Sequence, residues 1–67
     1  MKFKDTKYGD LTDRVYSNKI DCRDKRLTSL EGAPKEVRGN FYCNNNQLTS
    51  LEGAPKEVGG DFDCNNN

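Results

Sequence analysis

One phrase is written into this chain twice, and it limits what the chain can fold into. Residues 27–37 read LTSLEGAPKEV, and residues 48–58 read the same eleven letters again. Cys22, Cys43 and Cys64 mark a step of 21 residues, and residues 22–42 match residues 43–63 at 14 of 21 positions. Ile20, Phe41 and Phe62 keep the same period, as do Leu30 and Leu51, Pro34 and Pro55, and Val37 and Val58. Composition bias alone does not hold so many positions in register. A fixed period in the twenties is the mark of a chain that stacks equivalent coils, each burying an apolar side against the next.

Each copy divides into a short strand and a return arc. The strands are expected near residues 19–23, 40–44 and 61–65. Alternation sends Ile20 and Cys22, Phe41 and Cys43, and Phe62 and Cys64 to one face, with Asp21, Tyr42 and Asp63 on the other. In the arc, Gly53 and Pro55 oppose a continuous helix. Leu48 and Leu51, three apart, are expected to point inward from an irregular or 3-10 turn, with Ala54, Val58, Phe62 and Cys64 completing the inward set. The expected fold is therefore a mainly β repeat solenoid. It has one short parallel strand per 21-residue repeat, irregular or 3-10 return arcs and a small N-terminal cap. Residues 1–15, which do not repeat, are read as the cap, because a terminal coil has one face turned to water. Residues 16–67 are read as the solenoid, with its last repeat incomplete.

The run from Phe41 through Cys43 and Asn46 to Leu48, recurring at Phe62, Cys64 and Asn67, resembles a leucine-rich repeat of the short bacterial and bacteriophage type. The resemblance covers residues 17–67. Ile20 and Cys22 fit the pattern in the first copy, but Lys25 stands where the asparagine belongs, and the first apolar position of the pattern is missing throughout. The resemblance implies a structural ladder in which Asn46 and Asn67 bond the backbone of a neighbouring coil. The chemistry suits that role. Asparagine both donates and accepts, and a buried peptide group without a partner costs roughly 1–3 kcal/mol.

Composition narrows the function. Apolar residues make up 31% and charged residues 33%, so an ordinary core of this size would be thin unless a repeat aligned it. The 11 basic and 11 acidic side chains cancel, which argues against nucleic acid or an anionic membrane as the main partner. The charge is nonetheless uneven. Residues 1–26 hold eight basic and five acidic side chains, and residues 27–67 hold three and six. The opening MKFKDTKYGD has no apolar core of a leader, and the longest apolar run, Phe41-Tyr42-Cys43, is far too short to span a bilayer. A cytoplasmic location is expected, in a bacterial host if the chain is phage-derived.

Catalysis, cofactors and metals are not expected. The chain has no histidine, the commonest general base. Cys22, Cys43 and Cys64 stand in one line rather than around a centre, so they are read as buried structural thiols. Asp61 and Asp63 are replaced by Asn40 and Tyr42 in the other copy, so no repeated calcium cage exists. What remains is the outward face of the strands. It carries Lys19, Asp21 and Arg23, then Asn40, Tyr42 and Asn44, then Asp61, Asp63 and Asn65. Parallel strands make a rigid binding surface, and Tyr42 supplies an aromatic anchor. The expected function is a non-catalytic protein-interaction module with a protein partner. The alternative is a truncated repeat fragment with a structural role, or one that forms a homo-oligomer through its uncapped C-terminal coil.

Overall fold

A computed structural model describes all 67 residues. The chain is mainly β, with one 3-10 turn at Phe3–Asp5 and six two-residue strands. These are β1 (Val15–Tyr16), β2 (Ile20–Asp21), β3 (Glu36–Val37), β4 (Phe41–Tyr42), β5 (Glu57–Val58) and β6 (Phe62–Asp63). Each contains a β-branched or aromatic residue, the side chains that pack best on a pleated surface. The strands form two three-stranded parallel sheets, in the orders β1-β3-β5 and β2-β4-β6.

Register follows the sequence period. Ile20 pairs with Phe41 and Phe41 with Phe62; Val37 pairs with Val58. Pairing runs beyond the short strands. The N–H groups of Ile20, Cys22 and Asp24 donate to the carbonyls of Asn40, Tyr42 and Asn44 at 2.8, 2.8 and 3.3 Å. Those of Phe41, Cys43 and Asn45 donate to Asp61, Asp63 and Asn65 at 2.8, 2.8 and 3.0 Å. The run then turns at Asp24, Asn45 and Asn66, whose φ angles are 55°, 58° and 59°. Asp and Asn are the non-glycine residues that best tolerate this left-handed region, and the 21-residue step places one of them there each time.

Two expectations need correction. The sequence reading gives one strand per copy, and the structure has two. Glu36–Val37 and Glu57–Val58, read as parts of the arc, pair in parallel with each other and with Val15–Tyr16. Two residues are too few to show alternation in a sequence, yet Val37 is fully buried while Glu36 is only partly so. The chain then turns a corner into the second sheet. At Gly39 a Cβ would stand 2.8 Å from the Lys19 nitrogen, so only glycine fits. The second correction concerns the inward set. Leu51 is 49% exposed and Phe62 38%, whereas their counterparts Leu30 and Phe41 are 0% exposed. Strand β4 has β6 beside it, and the far side of β6 has no strand beside it.

The core is a line of repeated positions: Ile20 and Phe41, Cys22 and Cys43, Leu27 and Leu48, with Leu30, Ala33, Val37 and Phe3. Phe3 comes from outside the repeats. Its ring lies 5.7 Å from Tyr8 and 6.3 Å from Phe41. Residues 1–4 run beside residues 28–31, with Thr28 N–H donating to Met1 O, Phe3 N–H to Ser29 O and Lys4 N–H to Glu31 O. Tyr8 Oη accepts the outward N–H of Asp21 at 3.0 Å. The N-terminal segment thus covers the first copy, and β1 straddles the residue 15/16 boundary drawn from the sequence. No helix is long and apolar enough to cross a membrane.

Candidate functional site

The nine outward residues named from the sequence lie along the β2-β4-β6 sheet in three rows, one row per strand, and none of them is buried. The rows are tied to one another. Arg23 Nε and Nη2 donate to Asp21 Oδ1 and Oδ2, both at 2.9 Å, a two-point pairing between residues two apart in the chain. Those hydrogen bonds hold the Asp21 carboxyl below its ordinary value. The same guanidinium sits 5.6 Å from the centre of the Tyr42 ring, so the first row leans on the second. Asn40 Nδ2 donates to Tyr42 Oη at 2.7 Å, and Asn40 Oδ1 accepts the Asp61 N–H at 2.7 Å, which joins the second row to the third.

Sequence reasoning selected these residues singly and missed their coupling. The alternation pattern reports which face a residue occupies; it carries nothing about which side chains reach each other. The coupling leaves two kinds of charged group on the face without a side-chain partner: the Lys19 ammonium, and the carboxylates of Asp61 and Asp63. Charge along the rows runs from net positive (Lys19, Asp21, Arg23), through neutral, to two negatives (Asp61, Asp63). Asn44 is half-buried, and its Oδ1 lies below the face with no hydrogen-bond partner.

Beneath the face, Asn46 is 9% exposed and uses its whole amide. Oδ1 accepts from the N–H groups of Lys25 and Leu27, both at 3.0 Å. Nδ2 donates to the carbonyls of Cys22 and Cys43, both at 2.9 Å. Asn67 repeats part of this set. It accepts from Leu48 N–H at 3.1 Å and donates to the carbonyls of Cys43 and Cys64 at 3.1 and 2.8 Å. The three thiols are unpaired. Burial pushes Cys22 and Cys43 up to about 12, so both are neutral thiols. No group of three His, Cys, Asp or Glu residues converges in metal-binding geometry.

Comparison with known proteins returned nothing to set beside this chain: no family model, no curated protein and no solved structure matches it.

Proposed function

We propose that the chain is a short leucine-rich-repeat-like solenoid that acts as a non-catalytic protein-interaction module. Its binding surface is the outward face around Tyr42. The observation that carries this reading is the linked set Asp21–Arg23–Tyr42–Asn40–Asp61. It spans three strands and fixes the face before any partner arrives, which lowers the ordering cost of binding. The in-register pairing of Ile20, Phe41 and Phe62 and the full use of the Asn46 amide support the repeat reading. The unpaired thiols at Cys22, Cys43 and Cys64 suit a reducing compartment, and we place the protein in the cytoplasm of a bacterial host.

Size limits the partner. Three strands about 4.8 Å apart, with five residues rising about 3.3 Å each, give a face on the order of 15 Å on a side. That is a few hundred Å² at most, against the roughly 800 Å² per partner of a standard stable interface. A short segment of a protein partner, held transiently, fits this face better than a globular surface. The test is a photo-crosslinking residue placed at position 42 and, as a control, at position 35, an exposed residue beside β3 and outside the nine-residue face. A partner captured at 42 and lost in Arg23→Ala supports the reading. Equal capture at both positions would sink it.

The alternative role, a structural element that self-associates through its last copy, is favoured by one observation: Leu51 and Phe62 are half-exposed where Leu30 and Phe41 are buried.

A further inference from the structure

The 21-residue step gives the outward face columns as well as rows. Lys19, Asn40 and Asp61 occupy equivalent positions on three neighbouring strands, each one residue before the in-register set Ile20, Phe41 and Phe62. Asp21, Tyr42 and Asp63 form the next column. The first column begins on an exposed ammonium, ends on an exposed carboxylate and has a neutral amide between them. That amide is engaged within the face, Nδ2 with Tyr42 Oη and Oδ1 with the Asp61 N–H, both at 2.7 Å. The Asp21 carboxylate beside Lys19 is taken by Arg23, whereas Asp63 adds a second negative charge beside Asp61.

The face thus holds one unmatched positive end and one unmatched negative end, two strand spacings or about 9.6 Å apart. A matching ligand carries an acid and a base on one side of its backbone at that separation, with no charge between. Backbone geometry decides which ligand does so. In an extended strand, side chains return to the same side every second residue, at about 6.6 or 13 Å, and neither distance fits. In an α-helix they return at about 4.5–6 Å, or after seven residues at about 10.5 Å, which needs two full turns of ordered chain about 10 Å wide. In a polyproline II helix every third residue returns to the same side, at about 9.3 Å. Proline between the two charges suits the middle of the column, because it brings no N–H that would need a partner there. The half-buried Tyr42 ring lies beside that middle position, held by Arg23 at 5.6 Å, and proline-rich segments dock on aromatic side chains.

We infer that the outward face selects a short polyproline II segment of a partner protein, with an acidic residue over Lys19 and a basic residue three positions away over Asp61 and Asp63. The prolines between them lie on Asn40 and Tyr42. This choice of ligand rests on the proposed role of the face and names the chemistry of its partner. Such a segment is already extended before it binds and loses little conformational freedom, which suits so small a face.

The test follows amide chemical shifts of the full chain, under reductant, on titration with six-residue peptides capped at both ends. Gly-Glu-Pro-Pro-Lys-Gly has the required spacing. Gly-Glu-Pro-Lys-Pro-Gly has the same composition with its charges two apart, and Gly-Lys-Pro-Pro-Lys-Gly and Gly-Glu-Pro-Pro-Glu-Gly carry like charges. The first is expected to bind about tenfold more tightly than the other three, with shifts at Lys19, Tyr42 and Asp61 and a preference that fades as salt rises. Lys19→Glu, a change at an exposed position, should transfer the preference to the peptide with two lysines while leaving the circular dichroism spectrum unchanged. Three results would overturn the inference: no saturable shift with the first peptide up to about 10 mM, equal affinity for the two spacings, or an unchanged preference in Lys19→Glu. Each of these leaves a crosslink at position 42 intact, whereas loss of that crosslink removes the interaction reading itself, so the two failures are distinguishable.

Discussion

Asn46 Oδ1 accepts the Leu27 N–H at 3.0 Å, joining residues nineteen positions apart across two copies of the phrase. The same oxygen takes the Lys25 N–H, and the Asn46 amide nitrogen serves two carbonyls, Cys22 and Cys43. One buried side chain therefore satisfies four backbone groups that the turn would otherwise leave without partners.

Asn46→Ala is accordingly expected to destabilise the fold severely. Leaving even two of the four groups buried and unpaired costs roughly 2–6 kcal/mol, a large share of the stability of so small a chain. Asn67→Ala should cost far less, because Asn67 is exposed and water can replace its bonds. Urea unfolding of both variants measures the contrast. Equal losses would contradict the ladder's geometry.

Two identical residues of the phrase should respond differently to the same change. Leu30 is 0% exposed and Leu51 is 49% exposed. Leu30→Ala is expected to cost about 2–5 kcal/mol and Leu51→Ala under about 1 kcal/mol. Thermal melts across a protein concentration series report both. A comparable loss at Leu51 would mean that its side chain is covered in solution.

Phe3 tests the N-terminal segment. Its ring is fully buried against Tyr8 and Phe41. Phe3→Ala should cost about 3–5 kcal/mol, and removal of residues 1–4 should unfold the first copy. A variant that melts like the parent would show that these residues do not hold the first copy.

The thiols give a pH dependence with a definite sign. Burial raises Cys22 and Cys43 from the ordinary 9.0 to about 12 in the folded chain. Above 9.0 the unfolded chain loses these protons while the folded chain keeps them, so the unfolded state gains and stability falls with rising pH. Each thiol contributes a slope of about 1.4 kcal/mol per pH unit in that window, and none below it. Urea midpoints under reductant at about pH 8 and pH 10.5 should therefore separate, and Cys43→Ala should flatten the difference. No change in slope on that substitution would refute the assignment.

The mainly β character and the parallel pairing at a 21-residue step were legible in the sequence, because the period fixes which residues stand side by side. The β1-β3-β5 sheet was not. Its strands are two residues long, and Glu36–Val37 gains its partner Val15–Tyr16 from a segment with no repeat letters. The burial of Phe3 was equally hidden: it depends on the backbone of residues 1–4 running beside residues 28–31, a contact between unlike sequences. Leu51 and Phe62 share their letters with buried counterparts, and their exposure depends on what stands next to them. On the candidate face, alternation placed Arg23 and Tyr42 on the same side. Their contact depends on the reach of a long side chain across two strands, which a one-dimensional pattern does not encode.

The account rests on a parallel stack in strict 21-residue register, and amide hydrogen exchange read residue by residue tests that most directly. The amides of Ile20, Cys22, Phe41 and Cys43, which donate to the neighbouring copy, are predicted to be protected. Those of Phe62 and Cys64 should exchange at near the free-peptide rate. Protection at Phe62 and Cys64 equal to that at Phe41 and Cys43, or fast exchange at all six, would contradict it.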